Sequence, residues 1–295
     1  MEKLKEAMFY KKLKIKGKEN IVQCVLCPHF CVIKNGERGK CGARENKNGK
    51  LYCIVYGKPC SLALDLIEKK PLYHFHPGSM TFTIATIGCN LSCKHCQNWQ
   101  ISQAELEDVP YSEISPKEII RMTKEAGSNI ISFSYTEPTI FYEYMLDIVR
   151  LAKKHGIRCV MVTNGFINPE PLKKLLPYID AFNIDLKSIK DKFYKEICGA
   201  RIQPILEAIK IAHKSGKHLE LTNLLIPSLN DSDRDIKELV KWIKENLSEN
   251  VPLHFSAFYP CYKLNNLRPT PPEKVIHAAE IARKMGMENV HTGNI

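Results

Sequence analysis

The chain has 295 residues, 44% of them hydrophobic, with 12 cysteines and a formal net charge of +11. That length suits one large α/β domain with a small appendage. No uninterrupted apolar run reaches the ~20 residues of a membrane span, and the charged opening MEKLKEAMFYKKLKIKGKEN lacks the apolar centre of a signal peptide, so a soluble cytoplasmic protein is expected.

In a reducing cytosol, clustered cysteines point to metal ligands or redox groups rather than disulfides. Nine of the twelve lie between Cys24 and Cys96. The scattered Cys159, Cys198 and Cys261 read as ordinary small apolar residues. Lysines interleaved with glutamates, as in KELVKWIKEN, read as solvated helix faces, so a nucleic-acid partner is not expected.

Residues 1–80, rich in Cys, Gly and Lys, read as a small, loop-rich, metal-stapled segment. Within it Cys24, Cys27, Cys31 and Cys41 are spaced C-x2-C-x3-C-x9-C. Four thiolates can close a tetrahedral zinc site. They can equally hold a second, fully ligated [4Fe–4S] cluster that relays electrons, and unmetallated thiols are a third reading. Cys53 or Cys60 can replace one of the four.

From Thr81 to the end, residues 81–295, strand-like and helical stretches alternate. Strands are predicted over 81–88, 129–137, 158–164, 181–187, 218–226 and 252–259, and helices over 116–126, 139–155, 169–178, 201–215, 232–247 and 271–285. Glycines such as Gly127 follow several helices, where a left-handed C′ residue is required. Six βα units without hairpin signals predict a parallel sheet covered by helices, a partial (β/α)6 TIM-like barrel. NVHTGNI reads as the start of a seventh strand. In such barrels the chemistry sits where strands run into their following loops.

The first such loop, GCNLSCKHCQNW, holds Cys89, Cys93 and Cys96. Structural zinc usually takes four ligands in two separated knuckles. A cubane normally takes four thiolates, so three leave one iron open to a non-protein ligand. At later strand ends, period-two alternation turns Asn183, Asp185 and Lys187 inward; a buried Asp185–Lys187 salt bridge is the plainer reading of the last two. Glu137 ends the second strand, where an acid can simply start a helix. Thr163 and Asn164 end the third, Glu220 and Thr222 share a face of the fifth, and His254 and Ser256 lie on the sixth.

CNLSCKHC resembles the signature of the radical S-adenosylmethionine (SAM) superfamily. The resemblance implies a [4Fe–4S] cluster on Cys89, Cys93 and Cys96, with SAM chelating the fourth iron. One-electron cleavage of SAM then gives a 5′-deoxyadenosyl radical that abstracts a substrate hydrogen. His95 stands where an aromatic residue commonly precedes the last cysteine. Tyr135-Thr136-Glu137-Pro138 resembles the glycine-glycine-glutamate segment that receives the SAM ammonium, with bulkier residues in place of the glycines. Thr163-Asn164-Gly165 resembles the TNG of glycyl-radical activating enzymes, although Val162 stands where those often carry aspartate. The implied SAM contacts are Thr136, Glu137, Asn164, Asp185, Lys187 and His254.

CVLCPHFC, GERGKCGAR, HFHPGS, GCNLSCKHCQNWQIS, YTEPTIF, VTNG, IDLK, LLIPSLND and HFSAF together look closely like the radical SAM member of the AmmeMemoRadiSam system, related to pyruvate formate-lyase activating enzymes. This implies Memo-type and AMMECR-type partners and an electron donor such as ferredoxin or flavodoxin. It also implies that the sequence stops short of the family's C-terminal end. The expected function is hydrogen abstraction from a protein or peptide substrate. The alternatives are a glycyl-radical-enzyme activase, a non-catalytic iron–sulfur or zinc module, and RNA modification, which predicts salt-sensitive tRNA binding.

Overall fold

The computed structural model describes residues 4–295. Its N-terminal strands are β1 (Lys5–Glu6), β2 (Tyr10–Ile15), β3 (Lys18–Cys24), β4 (Val32–Ile33), β5 (Arg44–Lys47) and β6 (Lys50–Cys53). They form two antiparallel three-stranded sheets, β1-β6-β5 and β2-β3-β4. Sheets this small cannot bury a core alone. Their apolar residues, among them Val22, Leu26, Ile33 and Leu51, instead join the same buried cluster as the main sheet.

The main sheet has eight strands. It begins with β7 (Pro59–Leu66), which runs antiparallel to β8 (Met80–Thr86). Then follow β9 (Ile130–Phe133), β10 (Arg158–Thr163), β11 (Ala181–Asp185), β12 (His218–Leu225), β13 (Leu253–Ala257) and β14 (Val290–Gly293), each parallel to the one before. Neighbours in chain order without crossovers make the order of a β/α barrel, here open between β7 and β14. Strands such as β9, buried at all four positions, carry near-continuous apolar runs because helices cover them.

The helices are α1 (Trp99–Ser102), α2 (Pro116–Glu125), α3 (Tyr142–Lys154), α4 (Pro169–Leu175), α5 (Asp191–Phe193), α6 (Gln203–Lys214), α7 (Asp233–Asn246) and α8 (Pro272–Lys284). Local chemistry sets their starts. Ser115 caps α2 in a reciprocal capping box with Glu118, and Ser232 accepts from the Asp235 N–H at the start of α7. None of the described helices is long and apolar enough to cross a membrane.

The strand expected from NVHTGNI forms as β14, a seventh parallel strand paired with β13 from Leu253↔Val290 to Ser256↔Gly293. The main sheet starts at Pro59, ahead of the predicted first strand at Thr81. The long return between β7 and β8 crosses under the barrel as a floor. Asn183 Nδ2 donates to Pro71 O at 2.7 Å, and the N–H groups of Tyr73 and His74 donate to Glu220 at 3.1 and 2.8 Å.

Candidate active site

At the C-terminal end of β8 the chain turns through Gly88, at φ 101°, where an added Cβ would sit 2.4 Å from the Cys41 carbonyl oxygen. Only glycine fits there, because the backbone is left-handed and another backbone crowds it. Cys89, Cys93 and Cys96 follow and open into one cleft of about 790 Å³. Hydrogen-bond donors meet their sulfurs: Leu91 N–H at 3.4 Å and Asn164 Nδ2 at 3.7 Å on Cys89, with Ser102 Oγ 3.1 Å from Cys96 Sγ. A five-residue π-helical turn, Tyr194–Cys198, continues α5 and holds the loop from behind. Its Cys198 and Ile197 carbonyls accept from Ser92 and Lys94 N–H, both at 2.9 Å. Such π turns recur at functional sites.

Burial pushes the Cys89 thiol well up, with Glu137 adding to it, and burial also raises Cys96. Cys93 moves the other way. The neighbouring Cys198 thiol, within 4.8 Å, lowers it against burial, helped by Lys187. Cys93 Sγ, a His95 ring nitrogen and Cys198 Sγ lie within 4.8 Å of one another, the only such trio among the described residues. Both His95 ring nitrogens are buried without a partner, and burial drops the ring to about 3, keeping it neutral.

Glu137 is fully enclosed between β9 and β10. Its Oε1 accepts from Thr139 N–H (3.0 Å), Thr139 Oγ1 (2.6 Å) and Thr163 Oγ1 (2.7 Å), and its Oε2 accepts from Asn164 N–H at 2.9 Å. It therefore caps the turn that leads into α3, yet Oε2 keeps acceptor capacity on the cleft wall. Burial raises its pKa even against these donors. Thr136 lines the cleft as well, its Oγ1 donating to Thr86 O at 2.8 Å. Asn164 Nδ2 also donates to Asn90 Oδ1 at 2.9 Å, which fixes it beside Cys89.

Two lysine–aspartate pairs face the cleft. Lys187 Nζ meets Asp185 Oδ2 at 2.7 Å, so the plainer salt-bridge reading is realised, though in the cleft wall beside Cys93. Buried Lys70 Nζ meets Asp65 Oδ2 at 2.8 Å, and Tyr135 Oη donates to the same oxygen at 2.5 Å. Tyr135 holds φ 65°, a left-handed conformation that is unfavourable for an aromatic residue. Its carbonyl accepts from Asn98 Nδ2 at 2.8 Å, and its ring lies 4.2 Å from Lys70 Nζ. A left-handed residue thus occupies the place where the resembled motif has glycine.

His254 lines the cleft, but its Nε2 is bound to Glu220 Oε2 at 2.6 Å and its ring stacks on His291 at 4.9 Å. Asn183 lies deeper, tied to the floor. Sequence reasoning missed Asp65 and Lys70, which it assigned to the appendage, and Asn98 and Ser102. Cys159 and Cys198 are buried in the apolar core, as expected of small apolar residues. Cys198 Sγ also lies within 4.8 Å of Cys93 Sγ, and half-buried Cys261 donates to His95 O at 3.3 Å, so both flank the triplet loop, which the sequence did not reveal.

The N-terminal thiols Cys24, Cys27, Cys31 and Cys41 line a second, small cavity that Asn90 also touches. Cys53 lies outside that lining, and Cys60 points to Ala85 O at 3.7 Å.

The family model described as "Radical SAM superfamily" matches residues 83–243. The uncharacterized protein MJ0808 of Methanocaldococcus jannaschii is 46% identical over 292 residues, 99% of this chain and 86% of that protein. A pyruvate formate-lyase-activating enzyme of Clostridium pasteurianum is 26% identical over 187 residues, 60% of this chain and 77% of that protein. The solved structure of Streptococcus suis SuiB bound to S-adenosylmethionine superposes with a TM-score of 0.54 at 17% identity, over 71% of this chain and 49% of that one. At that identity the likeness shows the fold alone, and this chain spans about half of SuiB.

Proposed function

The chain belongs to the radical SAM superfamily, and on that premise we propose that it cleaves SAM reductively at a [4Fe–4S] cluster held by Cys89, Cys93 and Cys96. The observation that carries this reading is the convergence of three thiols with Glu137, Asn164, Asp185 and Lys187 on one cleft. The thiols suit the cluster. Cys89 Sγ receives Leu91 N–H and Asn164 Nδ2, and Cys96 Sγ pairs with Ser102 Oγ, contacts of the kind anionic cluster ligands make. When bound, the cluster and SAM supply a 5′-deoxyadenosyl radical for hydrogen abstraction.

The chain's own groups then bind and orient. The free acceptor capacity of Glu137 Oε2 suits the SAM ammonium. Lys187 is held charged because Asp185 and Cys93 outweigh its burial, and it suits the SAM carboxylate. His95 presents an uncharged ring, and the segment through Pro71 and Tyr73, tied to Asn183 and Glu220, lines the cleft from below. Reduced, iron-loaded protein incubated with SAM should release 5′-deoxyadenosine, and a Cys89/Cys93/Cys96→Ala variant should not. No release from fully loaded wild type contradicts the reading.

The substrate proposed is a protein or peptide, supplied within an AmmeMemoRadiSam-type assembly with Memo-type and AMMECR-type partners. A second reading, glycyl-radical activation of a partner enzyme, draws support from the relative named as a pyruvate formate-lyase-activating enzyme. A stable glycyl doublet on a candidate partner would favour it, and absence of that signal across candidates would remove it.

A further inference from the structure

Cys93, His95 and Cys198 meet where the triplet loop packs on the π turn. Exposed Ser92 and Lys94 alternate with buried Cys93 and His95, as in an extended strand. The N–H groups of Ser92 and Lys94 donate to the carbonyls of Cys198 and Ile197, both at 2.9 Å, and so clamp loop and turn together. Gly199 follows the turn at φ 70°, where an added Cβ would stand 2.4 Å from Ser92 Oγ. Glycine there lets the two segments close this tightly.

Two observations mark the junction as a metal site. Both His95 ring nitrogens are buried without a hydrogen-bond partner. A neutral imidazole so placed leaves a lone pair unmet, which is costly, and a metal ion takes it up. The second observation is proximity. Two sulfurs and one ring nitrogen of the trio fall within 4.8 Å of one another. Around one zinc ion, with sulfur at about 2.3 Å and nitrogen at about 2.0 Å, such ligands stand roughly 3.5–3.8 Å apart, inside that bound. Two thiols and an imidazole select zinc over calcium or magnesium, which take oxygen ligands. Three protein ligands leave the fourth tetrahedral position to water, and Cys93 and His95 line the cleft that supplies it. The Lys187 ammonium beside Cys93 is already paired with Asp185 at 2.7 Å, so its charge is compensated before a dication enters.

We propose that Cys93, His95 and Cys198 bind one zinc ion in the iron-free protein, and that this ion and a cluster exclude each other because both need Cys93. Zinc then holds the empty loop and blocks cluster assembly until it is removed. The exclusion rests on the cluster reading above; the zinc site does not.

The test uses the full chain, reduced, free of iron and kept without oxygen. Its zinc content and affinity are measured by competition with a chromophoric chelator. The four N-terminal thiols can take zinc too, so each variant is compared with wild type. Cys198→Ala should hold roughly one zinc fewer per chain, and His95→Phe should bind that zinc at least ~10-fold more weakly. Cys89→Ala and Cys96→Ala, which remove triplet thiols outside the trio, should match wild type. Equal zinc in Cys198→Ala and wild type overturns the proposal. So does an equal loss in Cys89→Ala and Cys96→Ala, which would place the ion on the triplet. Should Cys198→Ala fail to fold by circular dichroism, His95→Phe decides, and unchanged affinity overturns the site. Zinc-loaded wild type given iron and sulfide should gain cluster only as this zinc leaves; full cluster with the zinc retained overturns the exclusion. Because the zinc measurements use iron-free protein, their failure leaves SAM cleavage standing, and failure of SAM cleavage leaves the zinc site standing.

Discussion

Arg44 Nη2 reaches both carboxylate oxygens of Glu143, at 2.8 and 2.7 Å, with both side chains almost fully buried. Glu143 Oε1 also accepts the Met8 N–H at 2.7 Å. The pair joins the N-terminal sheets to α3 across a span of 99 residues. Breaking one half strands a buried charge, whereas removing both leaves an apolar gap. Glu143→Leu should therefore cost about 3–5 kcal/mol in urea unfolding. The double variant Arg44→Met/Glu143→Leu should recover most of that loss; equal losses for the single and double variants would contradict the coupling.

Glu137 serves the fold and the cleft together. Glu137→Ala leaves the hydroxyls of Thr139 and Thr163 and two backbone N–H groups without their acceptor, a loss of about 2–4 kcal/mol in thermal or chemical unfolding. Glu137→Gln restores one acceptor and should regain part of that stability. SAM affinity should still fall at least ~10-fold in Glu137→Gln, because the charge facing the ammonium is gone. Unchanged SAM affinity by calorimetry would remove Glu137 from the cofactor site.

Cys198 acts through Cys93. Its sulfur lies within 4.8 Å of the Cys93 sulfur, and a thiol placed there can stabilise the more negative, reduced state of a cluster. Cys198→Ala should lower the reduction potential of the Cys89/Cys93/Cys96 cluster, and Cys198→Ser, which keeps a donor, should restore it. A potential that moves equally in both variants would mark a packing effect instead.

Stability should depend on acid through Glu220 and Asp65. Burial alone would raise Glu220, but hydrogen bonds from His218, His254 and the His74 N–H bring it to about 2. Burial likewise opposes Asp65, which Lys70 and Tyr135 bring to about 2. Both folded values lie below the unfolded range near 4. The stabilisation is therefore fully present above about pH 4 and is lost as pH falls through about 2. For Glu220 the loss is on the order of 3 kcal/mol. Unfolding free energy followed by circular dichroism should decline across that window, and Glu220→Gln should flatten the decline. An unchanged profile in that variant would contradict the assignment.

From Thr81 onward, the predicted strands and helices match the observed ones because two-residue and helical periodicities are local properties of the chain. The triplet and the strand-end polar residues were legible for the same reason, since alternation alone sends Asp185 and Lys187 to the cleft side. The floor was not legible. Its anchors Asn183 and Glu220 lie 112 and 147 residues from Pro71 and Tyr73, a separation that local sequence patterns do not reveal, although Pro77-Gly78 marks a turn in the return from β7 to β8. That omission also concealed Asp65 and Lys70. Cys198 reaches Cys93 only because a π turn shifts its register, and nothing in YKEICG announces that turn.

The proposed chemistry requires SAM to bind at the iron left open by Cys89, Cys93 and Cys96. The most direct measurement is the electron paramagnetic resonance spectrum of the reduced, anaerobically reconstituted protein with and without SAM, beside the Cys89/Cys93/Cys96→Ala variant. Wild type should give a cubane signal that SAM perturbs, and the variant no SAM-responsive signal. A wild-type signal indifferent to SAM, or a triplet that takes up zinc and no iron, would contradict it.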